Sequence, residues 1–180
     1  STPTPTKSIR AQPALGTPLS AETVTADGPW LVFATDNALW IANADGSWAS
    51  PLESGFGRAT SPVVAPSGGY VAYVTALTAN YSGLELHVLS LPSGEIRAIT
   101  PLTSAATAIG PDANSEDLPG SPHLEIARAI LDVPSLAWSP DGTKLAFIGA
   151  MDGPSADLYV YSLSDGSIRR LTGGPSQGYQ

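Results

Sequence analysis

The sequence predicts an all-β fold built from repeated four-stranded antiparallel sheets. Three observations carry that prediction. The chain has 18 Gly and 17 Pro in 180 residues, close to one residue in five. Both disfavour helix interiors, which argues against a helical bundle. Between them lie short apolar runs rich in Val, Ile, Tyr, Phe and Trp, the residues that favour strands. A unit of these runs and their turns then recurs along the chain.

Residues 1–29 read as a tether. Ser1-Thr2-Pro3-Thr4-Pro5-Thr6 opens them, and Pro13, Pro18 and Pro29 follow. Such composition keeps the chain extended and solvated. A free end or an inter-domain linker would have the same composition. From Trp30 on, strand candidates cover residues 30–35 (WLVFAT) and 39–42 (LWIA), closed by Asp45-Gly46. Residues 71–77 (VAYVTAL) and 84–91 (LELHVLSL) follow, closed by Ser93-Gly94. Residues 145–149 (LAFIG) and 158–163 (LYVYSL) come last, closed by Asp165-Gly166. Asp-Gly supplies the positive φ that tight hairpin turns need.

Laid over one another, these segments repeat. Ser135-Leu136-Ala137-Trp138-Ser139-Pro140-Asp141-Gly142 runs into Lys144-Leu145-Ala146-Phe147-Ile148. Seventy-four positions earlier, Ser61-Pro62-Val63-Val64-Ala65-Pro66-Ser67-Gly68 runs into Tyr70-Val71-Ala72-Tyr73-Val74. Ser90-Leu91-Pro92-Ser93-Gly94-Glu95-Ile96-Arg97 matches Ser162-Leu163-Ser164-Asp165-Gly166-Ser167-Ile168-Arg169, 72 positions on. A weaker third copy carries Asp45-Gly46-Ser47-Trp48 at its turn.

Residues 103–133 stand apart as an insertion, low in strand formers. They end in the one good helix candidate, residues 123–131, with Leu124, Ala127, Ile130 and Leu131 on one face. Ser121 suits the N-cap and Pro122 the first helical position. Setting aside these roughly 30 residues leaves a period of about 42, the length of a four-stranded propeller blade.

Trp138-Ser139-Pro140-Asp141-Gly142-Thr143-Lys144-Leu145-Ala146-Phe147 resembles the W-S-P-D-G-x-x-[IL]-A-F core of the TolB-like, WD40-like β-propeller repeat. Asp157-Leu158-Tyr159-Val160-Tyr161, Asp165-Gly166 and Arg170-Leu171-Thr172 complete the repeat. The resemblance is close over residues 134–173, moderate over 61–101 and weak over 30–54. Residues 65–68 depart from it, since Ser67 stands where the motif has Asp. The resemblance implies about three four-stranded antiparallel blades, at 30–58, 59–102 and 134–173, in an incomplete ring with one short helical insertion. Trp138, Ser139, Pro140, Asp141 and Gly142 are then the structural repeat motif. Trp138 is expected to pack between blades, and Leu145, Phe147, Leu158 and Val160 to fill the space between sheets. Further blades are expected beyond Gln180, where Gly174-Pro175-Ser176 leads on.

Composition bounds the function. The formal charge is −8, with 16 acidic and 8 thinly spread basic residues. Nucleic-acid binding needs clustered Lys and Arg, so it is disfavoured. No run approaches the length of a membrane span. The absence of Cys removes disulfides, thiolate metal sites and cysteine nucleophiles.

Catalysis finds little support. His87 reads as a strand-face residue and His123 as a surface residue at a helix start. No G-x-S-x-G elbow occurs. No cofactor is expected. Asp112, Glu116, Asp117 and Glu125 in the insertion are weak binding candidates. So are Asp152 and Asp157, expected in a loop of the third blade. Calcium would need about 6–8 oxygen ligands in a set geometry, and no D-x-D-x-D-G loop occurs. The resemblance implies a non-catalytic binding or scaffolding module, secreted or surface-tethered, with a lipid anchor upstream of residue 1 and a protein or peptide partner. The alternative is the substrate-gating propeller of a prolyl-oligopeptidase-type serine peptidase, whose catalytic domain lies outside this chain.

Overall fold

The computed structural model describes residues 30–35, 38–46, 49–54, 58–76, 83–91, 93–103, 130–131, 134–152 and 156–173. Eleven strands among them form three antiparallel sheets. The first holds β1 (Trp30–Thr35), β2 (Ala38–Asn43) and β3 (Ala49–Ser54), in that order. The second runs β4 (Arg58–Val64), β5 (Tyr70–Ala76), β6 (Leu84–Ser90), β7 (Ile96–Pro101). The third runs β8 (Leu136–Trp138), β9 (Lys144–Gly149), β10 (Asp157–Ser162), β11 (Ile168–Arg170). Each strand pairs with the next through a short connection, the meander of a propeller blade. The sheets stack in series and close no ring among the described residues. The expected all-β, incomplete propeller is borne out. The first sheet has three strands here, where four were expected, because any strand before β1 falls outside the described residues.

Sheet two is covered on both faces, and its sequence shows why. All of Val71 to Ala76 on β5 is buried. Val71 and Tyr73 face sheet one and pack with Leu39, Ile41, Leu89 and Leu91. Ala72, Val74 and Ala76 face sheet three and pack with Leu136, Leu145, Phe147, Tyr159 and Tyr161. A strand buried on both sides reads as a continuous apolar run. Blade three instead alternates. Leu145 and Phe147 on β9 are fully buried, while Ala146 and Ile148 are half-buried.

Two expectations for β10 need correction. Leu158 is 36% exposed and Val160 half-buried, so they do not fill the space between sheets two and three. Asp157, Tyr159 and Tyr161 point that way instead, opposite Gly149, Phe147 and Leu145 across the β9 pairing. The strand period of two sends Leu158 and Val160 to the other face. Asp157 is likewise not a loop residue; it opens β10 and is buried.

The ends of the insertion are anchored. Leu102 is fully buried, and its carbonyl accepts from Ala150 N at 2.7 Å, stitching the end of blade two to blade three. Gly149 fits this close approach, since a Cβ there would meet the Leu102 carbonyl oxygen at 3.4 Å. Ile130 is fully buried in the core between sheets two and three, with Leu131 packed against it. The rest of the expected helix, and His123, lie outside the described residues.

Candidate functional site

One rim of the stacked blades is built from equivalent turns. Between β8 and β9, Gly142 N donates to Ser139 O at 2.8 Å and Ser139 N to Lys144 O at 2.8 Å. Between β4 and β5, Gly68 N donates to Ala65 O at 2.8 Å and Ala65 N to Tyr70 O at 2.8 Å. Gly142 and Gly68 have φ of 68° and 71°, a left-handed conformation that glycine adopts without a Cβ clash. Pro140 and Pro66 sit just before the polar residue of each turn. Asp141 accepts from Ser139 Oγ at 2.5 Å, Thr143 N at 3.0 Å and Thr143 Oγ1 at 2.9 Å. The Ser139 hydroxyl first, then the Thr143 amide, lower its pKa from 3.8 to about 2. Ser67 keeps one of these bonds, accepting from Gly69 N at 3.3 Å.

The second pair of turns lies beside the first. Ser90 N donates to Glu95 O at 2.9 Å, as Ser162 N does to Ser167 O. Leu91 N donates to Gly69 O and Leu163 N to Thr143 O, both at 3.0 Å, which fixes each β6–β7 or β10–β11 turn to its neighbour. Trp138 bridges the blades. Its Nε1 donates to Val63 O on β4 at 3.1 Å, and its ring lies 6.4 Å from that of Tyr70. That is the interblade position expected for this residue.

Between these turns, blades two and three part into a cleft of about 420 Å³. Blade two lines it with Tyr70, Val88, Ser90, Glu95 and Arg97. Blade three adds Gly142, Thr143, Tyr161, Leu163 and Ser164. The volume falls in the range of small-ligand sites. Val88 and Leu163 give an apolar floor. Arg97 Nε donates to Glu95 Oε1 at 2.9 Å, with both side chains more than half exposed. This bond and the opposite charge hold the Glu95 carboxyl below its ordinary range. The Tyr161 ring is buried at 5% exposure, yet the residue borders the cleft.

Of the weak candidates named from sequence, the two described ones, Asp152 and Asp157, do not line this cleft. Asp112, Glu116, Asp117 and Glu125 lie outside the described residues. Asp152 is exposed and accepts from Tyr159 Oη at 3.0 Å. Asp157 is committed to holding blade three: Arg170 Nη2 donates to it at 2.5 Å and Thr172 Oγ1 at 2.9 Å. The His87 ring lies tilted against that of Tyr73, with centroids 5.5 Å apart, and its Nε2 lies 3.2 Å from Glu85 Oε2. Among the described residues no three His, Cys, Asp or Glu side chains are grouped to hold a metal ion.

Apart from Gly142, named there only for its turn, the cleft residues were not singled out from sequence. A signal for them exists where the repeats disagree. Tyr70 stands where blade three has Lys144, and Glu95 where it has Ser167. Other lining residues agree between the copies, Ser90 with Ser162, Arg97 with Arg169 and Leu163 with Leu91, so this signal finds only part of the cleft.

No protein-family model matches the chain. Over 35 residues, 19% of this chain and 5% of the relative, it is 51% identical to the uncharacterized peptidase YuxL of Bacillus subtilis. Its fold matches the crystal structure of TolB from Acinetobacter baumannii with a TM-score of 0.54 at 19% identity. That match covers 84% of this chain and 33% of TolB, so the chain spans about a third of that protein's length. A putative TolB from Agrobacterium tumefaciens gives a TM-score of 0.48 at 12% identity, over 83% of this chain and 51% of that one. Among the described residues no helix is long and apolar enough to cross a membrane. With three serial antiparallel sheets, a repeated turn motif and this match, the chain has a TolB-like β-propeller fold, of which its sheets are consecutive blades.

Proposed function

We propose that the chain belongs to a non-catalytic β-propeller module that binds a protein or peptide partner outside the cytoplasm. The observation that carries this reading is the cleft between blades two and three, where an apolar floor meets an Arg, a Glu and two Tyr. Such a mixture of apolar surface and a few placed polar groups suits recognition. The Ser/Thr/Pro-rich residues 1–29 support a tether to a lipid anchor upstream of residue 1, with residues 30–180 as the propeller part. The repeat motif from Trp138 to Gly142 serves the scaffold, and further blades follow Gln180. Asp112, Glu116, Asp117 and Glu125 of the insertion remain secondary binding candidates.

A second reading has its own support. The 35-residue similarity to a protein named as a peptidase favours a propeller that gates a serine peptidase domain. One experiment separates the two. The full-length protein is treated with a fluorophosphonate that labels active serines, and, in parallel, carries a photo-crosslinker at Thr143. Crosslinking of a defined partner without phosphonate labelling supports the binding module. Phosphonate labelling that is blocked by a peptide substrate favours the peptidase.

A further inference from the structure

We infer that the cleft between blades two and three takes a peptide through a carboxylate, which docks on the terminal nitrogens of Arg97. This deepens the binding reading above and rests on it. Arg97 is the second residue of β7, and its Nε is engaged by Glu95 Oε1 at 2.9 Å. That single bond orients the guanidinium plane. Nη1 and Nη2 have no protein partner among the described residues, and they form the fork that matches a carboxylate.

The neighbours are donors. The hydroxyls of Tyr70, Tyr161 and Ser90 have no hydrogen-bond partner among the described residues, and all three residues line the cleft. Glu95 is the one acidic group of the lining. Val88 and Leu163 offer apolar contact to whatever precedes the carboxylate. A carboxylate satisfies a fork and several hydroxyl donors at once, where an amide would leave some of them unpaired.

Glu95 tunes the site in a testable direction. It aligns Arg97 but repels an incoming anion. Glu95→Gln keeps a hydrogen-bond acceptor and removes the repulsion.

The test uses the full-length protein and calorimetric titration. Three versions of an N-acetylated Leu/Pro-containing peptide serve as probes: one with a free C-terminus, one C-terminally amidated, and one amidated with an internal Glu. The carboxylate peptide is expected to bind about 10-fold or more tightly than the neutral amide. Arg97→Gln should remove that advantage and leave the neutral amide unchanged. Glu95→Gln should hold or tighten carboxylate binding. The internal-Glu probe tells whether a side chain can replace the chain end. If all three peptides bind equally, and Tyr161→Phe or Leu163→Asp weakens them while Arg97→Gln does not, the carboxylate inference fails and the cleft reading stands. If binding ignores every cleft substitution, this site is overturned while a peptide-binding module elsewhere survives. If no peptide binds the wild type, both readings fall.

Discussion

Asp141 accepts three hydrogen bonds, and Ser67, at the equivalent turn, accepts one. The backbone bonds of the two turns agree to within 0.1 Å, so the Asp is not what makes the turn. Its role is electrostatic reinforcement. The folded pKa of about 2 lies below the ordinary 3.8. A depressed carboxylate stabilises the fold above its unfolded pKa, and that contribution fades as pH falls through the folded value. The wild type should therefore lose thermal stability between about pH 4 and about pH 2, and Asp141→Asn should lose less over the same window. At neutral pH, Asp141→Ser should melt below the wild type and above Asp141→Ala. Thermal melts followed by circular dichroism measure both. Asp157 is the contrasting carboxylate, buried at 7% exposure and bound by a one-third-exposed Arg170. Arg170→Ala removes the guanidinium that pairs with this charge and leaves the Thr172 hydroxyl bond in place. A loss of about 1–3 kcal/mol is expected in urea denaturation, with partial exposure of the Arg limiting it. Phosphate-free buffers keep added anions from confusing the comparison.

At the scale of the strand, alternation was legible but its facing was not. The sequence shows that β9 and β10 each have two faces. It does not show which face meets blade two. Phe147 stacks on Tyr159 with centroids 5.5 Å apart, and both are buried. Leu158, one residue away, is 36% exposed. Phe147→Ala should cost about 3–5 kcal/mol through lost transfer energy and a residual cavity. Leu158→Ala should cost under about 1 kcal/mol, because solvent already reaches it. Equilibrium unfolding of the two variants checks the facing directly, since the reverse order would place β10 the other way round. β5 needed no such test: six consecutive buried residues require cover on both sides, and sheets one and three provide it.

At the scale of the molecule, the three blades leave two flanks uncovered among the described residues. On blade one, Leu31 and Phe33 are 54% and 40% exposed, on the face away from blade two. Phe33 stacks on Trp40 there, with centroids 6.5 Å apart. In blade three the equivalent positions, Leu145 and Phe147, are fully buried against the preceding blade. The repeat thus marks these as blade-contacting positions without a described neighbour. Contiguous exposed apolar surface of this kind drives association. The 180-residue polypeptide, studied by itself, should self-associate with rising concentration. Leu31→Asp combined with Phe33→Ser should abolish that association. Sedimentation velocity across a concentration series measures it, and a monomer at all concentrations would count against the flank assignment.

The amino-acid sequence by itself determined six of the eleven strands, the turns that close them and the repeat. Those features are local: period-two burial, Asp-Gly or Ser-Gly at a positive φ, and a motif short enough to read in one window. The double cover of β5 came with the structure, although its run from Val71 to Ala76, broken only by Thr75, is nearly all apolar. Tertiary structure alone decided the rest. The cleft joins Arg97 to Tyr161, the Trp138 indole reaches Val63 across 75 positions, and Asp157 finds Arg170 at the end of the neighbouring strand β11. Each depends on how one blade sits against another or on which face of a strand turns inward. A repeat gives every blade the same local instructions, so only the stacking of unlike neighbours makes one interblade groove differ from the next.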